Sequence, residues 1–319
     1  MSPAPVYDLA SLAKALVTAP LAHAFLDLDA DRRFVLGFHD RAEPLTVRQL
    51  LSHSAGLPPW RPFTGEPLAD QLRRPAAGHP LLRNAAPGVA TYSDLGYRLL
   101  AELLEAETGV AFPRLGAALS GLVPAPWPET AVAMPDGPDA DAWCAAEPGL
   151  PLPPPDPRLP HDLNARAGMQ GHAGFAATEA AFARWLRLWA SHWAPRLAME
   201  ATHESDGSLW GLGLRVAHGG SGRFAELLKA VPMGAGIQVA ARASDHLSPA
   251  APPLEARPGP PSGWWCHFGF TGPAVFFRPA DGACLGLLLH RRGPRGELLD
   301  AEALRARRWE LLAEIAAKL

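Results

Sequence analysis

Three strand-like runs crowd the C-terminal part of this chain, at residues 264–270, 274–278 and 283–290, and they constrain its fold more than anything before them. The last two are joined by Pro279-Ala280-Asp281-Gly282, a hairpin turn of Pro-x-Asp-Gly type. Connections this short join antiparallel neighbours, because parallel strands need a long crossover. Upstream the pattern is helical. Residues 9–25 are rich in Ala and Leu, with Pro20 expected to kink or shorten the helix. Residues 45–52 read as a short helix capped by Thr46, and residues 97–107 as an amphipathic helix ended by Gly109. Residues 175–193 form another, with Phe182, Trp185, Leu186 and Trp189 on one face as core. A terminal helix over 301–319 is expected to pack on the late sheet, and 236–243 offers one further strand. The proline-dense stretches 148–160 and 249–263 read as irregular extended loops. The fold class is therefore α+β, an antiparallel sheet flanked by helices plus a helical lobe.

Composition serves mainly to exclude. Of 319 residues 48% are hydrophobic, enough for a substantial core, and a net charge of −3 lacks the basic footprint of a nucleic-acid binder. Three cysteines, Cys144, Cys266 and Cys284, are too sparse for a disulfide scaffold. The N-terminus has no basic segment followed by an apolar run, and no stretch approaches the roughly 20 apolar residues of a membrane span. A cytoplasmic protein without nucleic-acid or membrane partners is the expectation, its oligomeric state open.

The first chemical constellation is Ser11-Leu12-Ala13-Lys14. Helix positions i and i+3 share a face, so the hydroxyl and the amine can meet. A position at a helix N-terminus favours a developing oxyanion. Serine is a poor nucleophile until a base takes its proton, which a desolvated lysine can do and an arginine cannot. Only three of the 29 Lys and Arg residues are lysine, so Lys14 stands out. No His-Glu-x-x-His or Cys-x-x-Cys pattern supports a metal site, and the Gly-x-Ser-x-Gly elbow of α/β-hydrolases is absent.

Five blocks in order extend the pattern: residues 7–14 (YDLASLAK), 45–58 (LTVRQLLSHSAGLP), 92–97 (YSDLGY), 161–175 (HDLNARAGMQGHAGF) and 267–272 (HFGFTG). Together they resemble the serine beta-lactamase-like hydrolases, the superfamily of class C beta-lactamases, D-alanyl-D-alanine carboxypeptidases and related esterases, most nearly its esterase-like branch. The resemblance implies a single beta-lactamase-like domain over 1–319. Its helical lobe would cover about 40–200, and its sheet lobe about 205–319 together with the nucleophile helix 9–25. It implies Ser11 as the acylated nucleophile, Lys14 as its proton acceptor and Tyr92 as a proton shuttle whose pKa Lys14 would lower. The backbone N–H groups of Ser11 and Phe270 would form the oxyanion hole. Asp94, His267, Phe268 and Gly269 would line the substrate, with no metal and no cofactor. His53 and His172 are expected to anchor backbone carbonyls.

Two positions depart from the family's pattern. Asp94 stands where Asn is usual, and an anion there would hold Lys14 and Tyr92 protonated. Phe268 replaces a hydroxyl residue that contacts a substrate carboxylate, which implies neutral acyl groups over anionic ones. Most of the family also begins with a helix and two sheet strands before the Ser-x-x-Lys block, whereas ten residues precede Ser11 here. A sheet lacking those strands would expose an unpaired edge. The expected activity is cleavage of a carboxylic ester, or an amide, through an acyl-enzyme on Ser11. Acyl transfer with the same residues and a silent binding protein are the alternatives.

Overall fold

The computed structural model describes residues 4–61, 65–73, 89–127, 158–168, 170–199, 202–203, 209–216, 228, 230–242, 263–291 and 299–319. Most of the two proline-dense stretches lies outside them, at 148–157 and 249–262. Strands β1 (Tyr7–Asp8), β2 (Val123–Pro124) and β3 (Phe175–Ala177) make a small sheet in the order β1-β3-β2. The large sheet holds β4 (Thr202–His203), β5 (Leu209–Trp210), β6 (Arg215–Val216), β7 (Ile237–Arg242), β8 (Trp265–Phe268), β9 (Ala274–Arg278) and β10 (Ala283–Leu289). Its order is β4-β5-β6-β8-β9-β10-β7. The helices are α1 (Ala19–Phe25), α2 (Val47–Leu51), α3 (Leu68–Arg73), α4 (Asp94–Thr108), α5 (Phe112–Ser120), α6 (Leu163–Arg166), α7 (Glu179–His192), α8 (Ala194–Met199) and α9 (Ala301–Lys318). No helix among the described residues is long and apolar enough to cross a membrane.

The late strands form the expected meander. β8 pairs antiparallel with β9, and β9 with β10. β7 extends the sheet beyond β10 and ends it: it runs parallel to β10 in register from Cys284↔Ile237 to Leu289↔Arg242. β7 in turn lies against both α7 and α9, which cover it from the two faces.

Alternation along β10 divides the core. Cys284 and Leu288 face the cluster that holds Phe182, Trp185, Leu186 and Trp189 of α7. Leu285, Leu287 and Leu289 face Leu304, Leu311, Leu312 and Ile315 of α9. Between Cys284 and Leu288, Gly286 lets α7 approach, since a Cβ there would lie 2.5 Å from Leu186 Cδ1 and 2.6 Å from Phe182 Cε1.

Two helix boundaries differ from expectation. Residues 175–177 are strand, because Thr178 is extended and its hydroxyl accepts the Ala181 N–H, starting α7 only at Glu179. Pro20 does not break the first helix. Residues Lys14–Thr18 form a π-helical stretch in which Ala19 N–H reaches back to Lys14 O, and Pro20 falls in the first turn of α1. The indole N–H groups of Trp189 and Trp185 donate to Ala15 O at 2.8 Å and Leu16 O at 3.0 Å. The two core tryptophans therefore also supply donors to the carbonyls of this widened turn.

Candidate active site

The segment that bears Ser11 follows a strand. β1 pairs with β3, and Leu9 N–H continues the ladder to Phe175 O at 2.9 Å. Ala10 then takes a left-handed φ of 44°, which turns the chain into the helix that carries Ser11 and Lys14. Lys14 is fully buried. Its Nζ lies 2.9 Å from Ser11 Oγ, 2.7 Å from Asp94 Oδ1 and 3.3 Å from His172 O. An ammonium has only three N–H donors, and these oxygens share them with the Tyr92 hydroxyl. The same nitrogen sits 4.8 Å from the Tyr92 ring centroid, and the Tyr92 hydroxyl bonds to both Lys14 and Ser11. Ser11, Lys14 and Tyr92, separated by up to 81 positions in the chain, thus meet at one point.

The electrostatics run against a free amine. Burial pulls the Lys14 ammonium toward neutrality, but the charges of Asp94 and Tyr92 and their hydrogen bonds oppose it, and the net direction is upward. Tyr92 is also raised, chiefly by burial, with Lys14 pulling it down and Asp94 pushing it up. The expected lowering of Tyr92 by Lys14 is therefore outweighed. Asp94 does what its position implies: it faces Lys14 and keeps it charged.

α6 and the loop after it close the other side. Asp162 caps α6 by accepting Ala165 N–H at 2.8 Å, and its Oδ1 lies 2.7 Å from His172 Nε2. Burial would raise the Asp162 carboxyl, but His172, Ala165 N–H and Lys14 hold it well below the usual carboxylate range. His172 thus pairs with a carboxylate, and it is its own carbonyl that receives Lys14. Asp94, Asp162 and His172 offer ligand atoms within 4.8 Å of one another. The Lys14 ammonium already pairs with Asp94 there, and His172 Nε2 is committed to Asp162. Sequence reasoning did not place Asp162 at the site, although the His-Asp-x-Asn-Ala run containing it was the available signal.

β8 forms the third wall. His267 faces inward, its ring centroid 6.1 Å from Tyr92 and its Nδ1 2.8 Å from Gly213 O. Burial, with Lys14 nearby, lowers it to about 3, so it is neutral. His53 accepts Ser93 N–H at 3.0 Å rather than donating to a carbonyl. Its ring packs on Tyr92 and Trp210 at 4.7 and 4.6 Å, and burial pushes it well below the usual histidine range.

Phe268 does not reach the site. Successive side chains on a strand point to opposite faces, and Phe268 lies on the α9 face, with Phe276 at 5.7 Å and the Arg308 guanidinium 4.8 Å above its ring. Gly269 is where the strand meets the segment that bears Ser11. A Cβ there would lie 2.8 Å from Leu9 O. Thr271 Oγ1 donates to Asp8 O at 2.9 Å, fixing the turn that bears Phe270. Among the described residues no carbonyl accepts from the Ser11 or Phe270 N–H. Both amides remain available to an oxyanion. The Phe270 ring is 43% exposed, stacked on His161 at 5.2 Å.

A serine hydroxyl, a buried lysine and a tyrosine thus meet beside two amides that donate to no described carbonyl. The beta-lactamase family model matches residues 1–308. The chain belongs to the beta-lactamase family. Among solved structures, the class C beta lactamase from Rhodobacter sphaeroides is similar at 18% identity, covering 99% of this chain and 87% of that one, with a TM-score of 0.58. A class C beta-lactamase mutant gives 15% identity over 99% and 83%, TM-score 0.57. EstCE1, described as a hydrolase with promiscuous acyltransferase activity, gives 18% over 99% and 85%, TM-score 0.53. At these identities the likeness shows the beta-lactamase-like fold. No curated protein sequence matches the chain.

Proposed function

We propose that this beta-lactamase family member is a serine hydrolase that cleaves carboxylic esters through an acyl-enzyme on Ser11. The observation that carries the reading is the contact of Lys14 Nζ with Ser11 Oγ at 2.9 Å inside a fully buried environment. Asp94 favours the Lys14 ammonium, so the reactive form is the fraction in which Lys14 has lost its proton. That amine takes the proton of Ser11 as Oγ attacks the acyl carbon. Tyr92, in contact with both, returns that proton to the leaving alcohol. The Ser11 and Phe270 amides hold the oxyanion, and water then repeats the sequence to release the acid.

His267 supports a neutral substrate. A neutral imidazole on the strand wall offers no cation to a substrate carboxylate, and an unpartnered buried anion is strongly disfavoured. This replaces Phe268 as the reason to expect esters ahead of penicillins and cephalosporins. A second reading, a binding protein without turnover, draws on the Asp94 ion pair that keeps Lys14 charged. Intact-protein mass spectrometry after fluorophosphonate treatment separates the two. The hydrolase reading expects a single adduct on the Ser11 peptide, absent in Ser11→Ala, and turnover of short p-nitrophenyl esters. No adduct and no ester turnover would leave the binding protein. Including an alcohol in the ester assay reports acyl transfer, as a transferred ester in place of free acid.

A further inference from the structure

Asp8 is a buried carboxylate, 6% exposed, that the reaction scheme above does not use. Its Oδ1 accepts Ala10 N–H at 2.7 Å, and its Oδ2 accepts His161 N–H at 3.3 Å. Its backbone carbonyl accepts the Thr271 hydroxyl at 2.9 Å. Three separate segments therefore converge on one residue: the nucleophile turn, the stretch before α6, and the turn after β8. Two N–H donors approach the two side-chain oxygens. Only a carboxylate has an acceptor on each, since asparagine would turn an NH₂ toward one of them. Burial pushes this carboxyl up to about 7 despite both backbone hydrogen bonds, with Asp162 adding to the rise and Arg166 opposing it. A simple packing role would be filled more cheaply by an apolar side chain.

The bonds of Asp8 flank the oxyanion hole. Ala10, one residue before Ser11, has φ of 44°, a conformation sterically disfavoured for a residue with a Cβ. The Asp8 carboxylate closes a side-chain turn onto the N–H of that residue. Thr271, one residue after Phe270, is tied to the Asp8 carbonyl. Each oxyanion donor is thus one residue from a group bonded to Asp8.

We propose that Asp8 is a positioning residue for acylation, holding Ala10 in its left-handed turn and so setting the Ser11 and Phe270 amides against each other. This rests on the hydrolase reading. It acts on the transition state, so kcat falls when Asp8 is lost while KM stays. Glycine adopts positive φ without a Cβ penalty, so Ala10→Gly compensates for the missing carboxylate.

The test measures p-nitrophenyl ester kinetics and the fluorophosphonate labelling rate in wild type, Asp8→Ala, Ala10→Gly and the double variant. Asp8→Ala should lose about tenfold or more in kcat, below the full 10²–10³ cost of deleting an oxyanion donor. KM should stay within about threefold, and labelling should slow in parallel. The double variant should recover most of that loss relative to Ala10→Gly alone. Unchanged kcat in Asp8→Ala, or a loss that Ala10→Gly does not relieve, overturns the role of Asp8 while the wild-type adduct on Ser11 keeps the hydrolase reading. No adduct in wild type removes both. Should Asp8→Ala not fold, Asp8→Glu keeps the charge but lengthens the arm that closes on Ala10, and carries the same expected loss and the same rescue.

Discussion

Asp94 and Gly269 are the single residues through which the site's chemistry can be tuned most directly. Asp94 lies 2.7 Å from Lys14 Nζ and holds it as the ammonium, so Asp94→Asn should lower the Lys14 pKa. Opposite charges at this range shift a pKa by about 1–3 units. The rising alkaline limb of the kcat/KM profile should therefore move to lower pH by about one unit or more, with turnover at neutral pH up about tenfold. A profile that does not move would show that another group sets the limb. Lys14→Arg keeps the charge and loses the ability to give up a proton, and should cost at least about 10²-fold in kcat. At Gly269 a methyl group would press on the Leu9 carbonyl at 2.8 Å, part of the backbone that leads into Ser11. Gly269→Ala should therefore lower kcat about tenfold or more through misalignment, measured on the same esters.

The decisive element is the widened first helix. Its π-helical stretch lets Pro20 sit inside the first turn of α1 while Lys14 stays buried under Asp94 and His172. The indoles of α7 hydrogen-bond to it at Ala15 and Leu16. Trp189→Phe preserves most of the ring and removes the donor to Ala15 O. A buried carbonyl left without a partner costs about 1–3 kcal/mol, which urea denaturation would read as a lower midpoint. A midpoint unchanged from wild type would mean that the carbonyl finds another donor. β7 shows a different economy. A six-residue strand placed parallel to β10 and packed between α7 and α9 ends the large sheet.

For the whole molecule, the buried neutral histidines tie stability to pH. The folded-state pKa of His267 is depressed by burial to about 3 and that of His53 well below the ordinary 6.5. The unfolded chain therefore binds more protons than the folded one between pH 6.5 and 3. The stability these groups allow is complete above pH 6.5 and is lost as the pH falls toward 3, by about 1.4 kcal/mol per pH unit for each titrating group. His267→Gln should flatten that slope in an unfolding series from pH 7 to 4. An unaltered slope would assign the acid sensitivity to other groups.

Much of the architecture was legible because it rests on local rules. The apolar runs 274–278 and 283–290 and the turn between them specify a hairpin, and Thr46, Gly109 and the α7 face follow from capping and period. The Ser11–Lys14 spacing suggested one pair, and the resemblance carried by the order of the blocks implied Tyr92 and the 267–272 segment beside it. Tertiary structure alone decided the rest, because those outcomes depend on neighbours distant in sequence. Strand parity against α9 turned Phe268 away, and pairing of β3 with β1 made 175–177 a strand rather than the start of a helix. Burial set the charge states of Tyr92 and His267, and the charge of Asp94 set that of Lys14 against burial. Asp8 became visible only when folding placed His161 and Thr271 against it, since a hydrogen bond across more than 150 residues leaves no periodic trace in the chain.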